Sequence, residues 1–355
     1  MPKRLVSRTA TRFENAREFM VSETARASRR QLWLTAAVCG ALAAISCAAP
    51  ARLIPAAGYE LRLGRQHPLV GRVYAVQARD FVAPSQLSAA VSGARIAILG
   101  ETHDNPDHHQ LQAELLDGFL QQHPRARVAF EMLDEEDAGA LATADLPTPE
   151  AVAARVAWDR SGWPEFRLYR PVFAVALARH APLLAAHPSA EHVRDSMRGV
   201  EDGEARALKL DEPLPAAQLA RQRDEIREAH CGHGNDAMLA AMQRAQVYKD
   251  AFMARALVGA GEPVLLIAGR GHARRDRAVP YFLRRHGAES VSVAFIDVSE
   301  ERVSATDYDV SPFDFVVFTP RVSDEDPCET FRKQLEQMHR QSPTDAGAQA
   351  AAHDK

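Results

Sequence analysis

The 355-residue chain is poor in aromatic side chains (6%) and holds only four cysteines. It also lacks any apolar run long enough to cross a bilayer: Leu32 to Ile45 spans 14 residues, where a spanning helix needs roughly 20. An excess of positive charge is missing too. Forty-three Lys and Arg stand against 47 Asp and Glu, for a formal charge of −4. The first 46 residues hold eight of those bases and three of the acids, so the rest of the chain is more acidic still. That sign is wrong for a sequence-independent grip on phosphates, and nucleic acid is excluded as a partner class. No Cys-x-x-Cys-His run is present, which removes covalent c-type haem. No His-Glu-x-x-His helix is present either, which removes the ordinary zincin mechanism.

The N-terminus has the layout of an export signal: Arg26, Arg29 and Arg30, then the short apolar run, then small residues. It ends Ala44-Ile45-Ser46-Cys47, which resembles a bacterial lipobox and makes Cys47 the expected lipid site and a membrane surface the expected partner. Ordinary cleavage beside an unmodified Cys47 is the plainer alternative. Ser28-Arg29-Arg30-Gln31-Leu32-Trp33 also resembles a twin-arginine signal, so the general and twin-arginine routes both fit, and Met20 is an alternative start. The expected organisation is a signal over 1–46, a tether over 47–67, one α/β domain over 68–340 and a disordered tail over 341–355. Cys39 leaves with the signal. In an oxidising compartment the remaining pair, Cys231 and Cys328, is expected to form a disulfide. Closing so long a loop contributes roughly 4 kcal/mol in the chain-entropy model. The rival is a metal site of His230, Cys231, His233 and Cys328, whose ligands bunch without the separation of zinc modules.

Two stretches carry the chemistry. ILGETHDNPDHH (98–109) and LLIAGRGH (265–272) are each an aliphatic run ending in Gly-x-x-His. Such runs read as buried strands, here Arg95–Leu99 and Val264–Ala268, and a glycine at the end lets the backbone turn. Further strands are expected over Arg127–Met132, Leu183–Ala186 and Val291–Asp297, with short ones at Gly71–Val76 and Phe81–Val82 and an edge strand at Phe315–Phe318. Helices are expected at Pro84–Val91, Asp107–Gln122, Pro149–Trp158, Pro164–His180 and Arg275–Arg285, and as two pieces between Pro213 and Gly259 broken at Cys231–Gly234. This alternation predicts an α/β fold: a mainly parallel central sheet with helices on both faces and a helical insertion.

In such a sheet, ligands bind outside the carboxyl ends of the strands. Glu101 and His103 fall at one end, Glu131 at the next, then His187, His272 and Asp276. Carboxylate and imidazole together suit a divalent metal held by Glu101, His103, Glu131 and His272. They also suit proton transfer. Glu131 follows Val128-Ala129-Phe130, where an unpaired carboxylate is costly, and a salt bridge to Arg270 or Arg274 would satisfy it. His108 and His109, with Asp104 and Asp107, read as a helix start or as the cleft mouth. Trp158, Trp163, Phe166 and Tyr169 form an aromatic cluster, core or ligand cover, in which Tyr169 offers a phenol able to ligate ferric haem.

With these motifs the chain resembles the ChaN-like haem-binding lipoproteins, related to the Tiki/TraB group. The resemblance rests on HPLVGRVY, ILGETHDNPDHHQLQ, AFEM, WPEFRLYRP, MQRAQVYKDAFMARAL, LLIAGRGHARRDRAVPYFL and FTPRVSDEDPC, over residues 68 to 335. It implies an envelope-anchored lipoprotein that binds haem for iron uptake, with two porphyrins where two subunits meet. Glu101, His103, Glu131 and His272 match the family's cleft residues. Arg270 departs from the small polar residue more familiar there, and is expected either to meet a haem propionate or to fill a pocket needed by a metal. The alternative implied by Tiki/TraB relatives is a metal-dependent hydrolase in which Glu101 or Glu131 activates a water on a metal held by the histidines.

Overall fold

The computed structural model describes residues 51–143 and 146–326, with the isolated positions 328, 329, 332 and 336. The export signal, Cys47 and the 341–355 tail lie outside the described residues. An eight-stranded sheet runs through the domain in the order β2-β1-β8-β7-β3-β6-β4-β5, where β1 is Val73–Ala75, β2 Asp80–Val82, β3 Ile96–Glu101 and β4 Arg127–Asp134. The others are β5 (Leu183–His187), β6 (Val264–Gly269), β7 (Val291–Asp297) and β8 (Phe315–Thr319). From β8 to β5 every pairing is parallel, while β1 is antiparallel to both β8 and β2. The expected α/β fold is present.

The aliphatic runs form strands buried on both faces because successive side chains point to opposite sides. Ile96, Ile98, Val264 and Leu266 enter one core with Tyr248, Ala254, Leu257 and Phe282 from the helices Asp236–Gly259 and Val279–Arg285. Ala97, Leu99, Leu265 and Ile267 enter the other with Leu111, Phe119, Tyr169 and Phe173 from the helices Pro106–Gln122 and Phe166–Ala178. Between β5 and β6 the chain inserts the helices Ala190–Ser196, Asp202–Ala207, Ala216–Ala229 and Asp236–Gly259. No helix among the described residues is long and apolar enough to cross a membrane.

Several expectations change. Phe315–Thr319 is interior, flanked by β7 and β1, and β2 takes the edge. Glu101 is the last residue of β3 and not the first beyond it, and the helix expected over Arg275–Arg285 starts at Val279, where Pro280 suits a first turn. Part of the expected tether is docked onto the domain. Asp107, assigned from sequence to the helix start, accepts the backbone N–H groups of Glu60 (2.6 Å) and Leu61 (3.2 Å), and Glu114 accepts that of Ala56 (2.6 Å). The Cys231–Cys328 disulfide is formed, with Cα atoms 5.5 Å apart.

Candidate functional site

The two Gly-x-x-His motifs meet on neighbouring strands, with Glu101 of β3 in register with Gly269 of β6. Their glycines serve a purpose other than the expected turn, since neither Gly100 nor Gly269 has a positive φ. Each instead leaves room for the other motif. A Cβ on Gly100 would stand 2.6 Å from Ala273 Cβ and 2.9 Å from Arg270 Cα, so the short 3-10 turn Arg270–Ala273 seats directly on β3. A Cβ on Gly269 would stand 2.9 Å from the Cε1 and Nε2 atoms of His103. The missing side chains are reciprocal sockets that bring the two histidines together.

Around these sockets lie two carboxylate–imidazole sets. In the first, His103 Nδ1 is 2.9 Å from Glu101 Oε1, and the Tyr169 hydroxyl donates to the same oxygen over 3.3 Å. His109 Nε2 stands 3.1 Å from the other Glu101 oxygen. In the second, His272 places Nδ1 2.6 Å from Asp250 and Nε2 3.0 Å from Glu131. The second Glu131 oxygen accepts the Gly269 N–H over 2.7 Å.

Burial alone would lower the His272 pKa, but Glu131 and Asp250 outweigh it and push it up to about 9. Burial would raise Glu131; the His272 charge and hydrogen bond, with His103, hold it well below the usual carboxylate range. At Asp250 burial prevails and the pKa rises despite His272. His103 is raised: burial opposes, but the Glu101 hydrogen bond and the Glu131 charge overcome it. The arrangement therefore keeps a proton on His272 at neutral pH. His103 is the more accessible imidazole, its side chain 35% exposed against 6% for His272.

A cleft of about 580 Å³ opens over these groups, bordered also by Trp163, His230, Lys249 and Arg270. That is within the usual range for a ligand pocket. A second hollow of about 550 Å³ shares Glu131 and Trp163 with it and adds His187, Arg155 and Arg160. His187 ends β5, one strand beyond the β4 that carries Glu131.

Glu101, His103, Glu131, His272 and Arg270 all border the cleft, as the strand ends implied. Others need correction. Glu131 pairs with His272 and not with an arginine; Arg274 is taken by Asp276 and Asp309, and Asp276 lies outside the cleft lining. Tyr169 is fully buried, packed between His109 (ring centroids 4.2 Å apart) and Trp158 (5.0 Å). Burial and the nearby Glu101 and Glu131 push its phenol pKa up, so it stays a protonated donor and does not face the cleft as an iron ligand. His108 and His109 do not line a mouth. Both are buried: His108 accepts the Thr102 N–H (2.9 Å) and lies 2.7 Å from the Thr319 hydroxyl, while His109 stands behind Glu101. Asp250, His230 and Lys249 are cleft residues that the strand-end motifs did not reveal. Among the described residues, no three His, Cys, Asp or Glu side chains converge in a group able to hold a metal ion. That holds for the Glu101, His103, Glu131 and His272 set and for the turn carrying His230, Cys231 and His233.

Fold and site together define an α/β protein with a polar cleft at the carboxyl rim of a parallel sheet. Its family is shown by the match of residues 87–283 to the model for haem-binding uptake proteins of the Tiki superfamily, ChaN. The chain belongs to that family. Among solved structures it is similar to ChaN of Campylobacter jejuni with cofacial haem binding, at 20% identity and a TM-score of 0.58 over 69% of this chain and 95% of that one. It is also similar to the type III effector HopBA1, at 13% identity and a TM-score of 0.41 over 66% of this chain and 92% of that one, too distant to bear on function. No curated protein matches.

Proposed function

We propose that this chain is an envelope-tethered haem-binding protein of iron uptake that holds haem at the rim cleft. The observation that carries the reading is a charge imbalance. Every acid bordering the cleft is engaged: Glu101 by His103, Glu131 and Asp250 by His272, and Glu225 by Arg277. Lys249 and Arg270 border the same cleft, and neither makes a hydrogen bond or an ion pair within 4.0 Å among the described residues. Partly buried cations without a hydrogen-bonded counter-ion cost free energy, and two of them suit the two propionates of a haem. Burial lowers the Arg270 pKa, a sign that its charge lacks full compensation there.

The apolar residues bordering the cleft are Trp163, Ile226 and Ala229, and the indole of Trp163 offers a flat face to a planar ring. A porphyrin seated there would leave its outer face open, which supports a second subunit closing over it. Acylation at Cys47 is supported by the lipobox-like sequence alone. Absorbance titration of purified protein with haem tests the reading: a saturable Soret change is expected, weakened in Lys249→Gln/Arg270→Gln. A flat titration would remove the haem-binding function from this rim.

A further inference from the structure

We propose that the helical insertion between β5 and β6 holds a ligand site of its own, a hollow of about 390 Å³ that takes an aliphatic monocarboxylate of the size of a medium-chain fatty acid. Every residue bordering it lies between Ser196 and Tyr248, and none of them borders the rim cleft. The helices Ala216–Ala229 and Asp236–Gly259 stand between the two. Ala240, Gln243, Arg244 and Val247 are spaced to share one helix face, and they border the hollow. Gln246 and Lys249 fall on another side of that helix and border the cleft. The preceding helix divides likewise, with Leu219 and Arg223 at the hollow and Gln222 and Glu225 at the cleft.

Most of the hollow's wall is aliphatic, supplied by Val200, Leu210, Pro213, Leu214, Leu219 and Val247. An alkyl chain laid against these side chains leaves water, which is the favourable step in binding an apolar body. A concave apolar wall with a few placed polar groups is the usual form of a small-molecule site, and the volume is within the usual range. The charged groups at this wall are of one sign. Arg223 and Arg244 border the hollow and no Asp or Glu does, although acids outnumber bases in the chain.

Both arginines are held by neutral groups. The buried Gln243 donates its Nε2 to the Leu219 carbonyl, and its Oε1 accepts Arg223 Nη2 over 3.1 Å. That amide orients the guanidinium without balancing its charge, and Arg223 Nε is enclosed with no hydrogen-bond partner. Arg244 donates Nε and Nη2 to the Met197 carbonyl. Neither arginine forms an ion pair within 4.0 Å among the described residues. The hydroxyls at the wall are already donating, Ser196 to the Val193 carbonyl and Tyr248 to Glu204. The guanidinium groups are thus the donors left for a ligand. Their planar fork matches a carboxylate, which would also supply the missing negative charge.

Calorimetric titration of the full chain with octanoate, and with octanol as the uncharged control, tests the proposal in wild type, Arg223→Gln and Ala240→Phe, with circular dichroism to check folding. Saturable octanoate binding is expected, with the negative heat-capacity change of apolar burial. Octanol should bind about tenfold or more weakly, the loss of a charge-assisted hydrogen bond. Arg223→Gln should weaken octanoate by a similar factor and leave octanol unchanged. Ala240→Phe, whose ring would fill the hollow, should weaken both ligands. No octanoate binding by wild type, equal affinity for octanoate and octanol, or wild-type octanoate affinity in folded Arg223→Gln or Ala240→Phe overturns the proposal. Each of these results is independent of haem binding at the rim.

Discussion

The two hollows at the carboxyl rim share Glu131 and Trp163 and are of similar volume, but they differ in what happens to their acids. In the cleft, imidazole and guanidinium groups neutralise the carboxylates and leave Lys249 and Arg270 over. In the neighbouring hollow, Asp134, Glu136 and Asp137 crowd together, and Asp137 is raised by burial and by those two neighbours. Arg155 and Arg160 offset only part of that charge, so hollows of similar volume differ in how well they suit an anionic group. The carboxylate–imidazole sets remove negative charge from one side of a shared wall.

Removing His272 abolishes that difference most severely. His272→Ala leaves Glu131 and Asp250 buried without their common cation, and breaking a buried pair this way costs about 3–5 kcal/mol. Urea unfolding should show a lowered midpoint, and haem affinity should fall with the gain in negative charge. Raising the pH does the same reversibly. The folded pKa of His272, about 9, lies above its ordinary 6.5, so its contribution is complete below pH 6.5 and is lost as pH rises through about 9. The linked loss is on the order of 3 kcal/mol. Unfolding free energies measured at pH 6, 7.5 and 9 should fall in that order in wild type, and fall less over this range in His272→Ala, where the raised His103 still titrates.

Matched charge removal separates the hollows more finely. Lys249→Gln/Arg270→Gln should weaken haem binding by about tenfold or more, since a charge-assisted hydrogen bond contributes roughly 1.5–3 kcal/mol. Arg155→Gln/Arg160→Gln, in the other hollow, should leave affinity unchanged; equal losses in both would erase the distinction. Gly269→Ala is the mildest change. Its methyl would meet His103 at 2.9 Å, and such overpacking typically costs about 1–3 kcal/mol. Thermal unfolding would register it, with the His103 imidazole resonances shifted in NMR spectra.

The central strands were readable in the sequence because runs such as Ile96–Leu99 and Val264–Ala268 are apolar without alternation, the signature of burial on both faces. Nothing local distinguished Phe315–Thr319 as interior, because its second neighbour, β1, comes from the far end of the domain. The rim position of Glu101, His103, Glu131 and His272 was likewise legible from strand ends. Their partners were not, because pairing across 138 residues, as between Gly269 and Glu131, leaves no spacing to read. Asp250 had a fainter signal. It shares a helical stripe with buried Ala254 and Leu257, and an acid on a core-facing stripe needs a buried counter-ion. His108 and His109 misled because adjacent aspartates suit a helix start, while their rings are in fact enclosed by Thr319 and Glu101.

Anomalous scattering from crystals of the haem-loaded protein would locate the iron outright. It should lie at the carboxyl rim of the sheet, with the porphyrin carboxylates against Lys249 and Arg270. Iron anywhere away from the carboxyl rim of the sheet would contradict this reading of the rim.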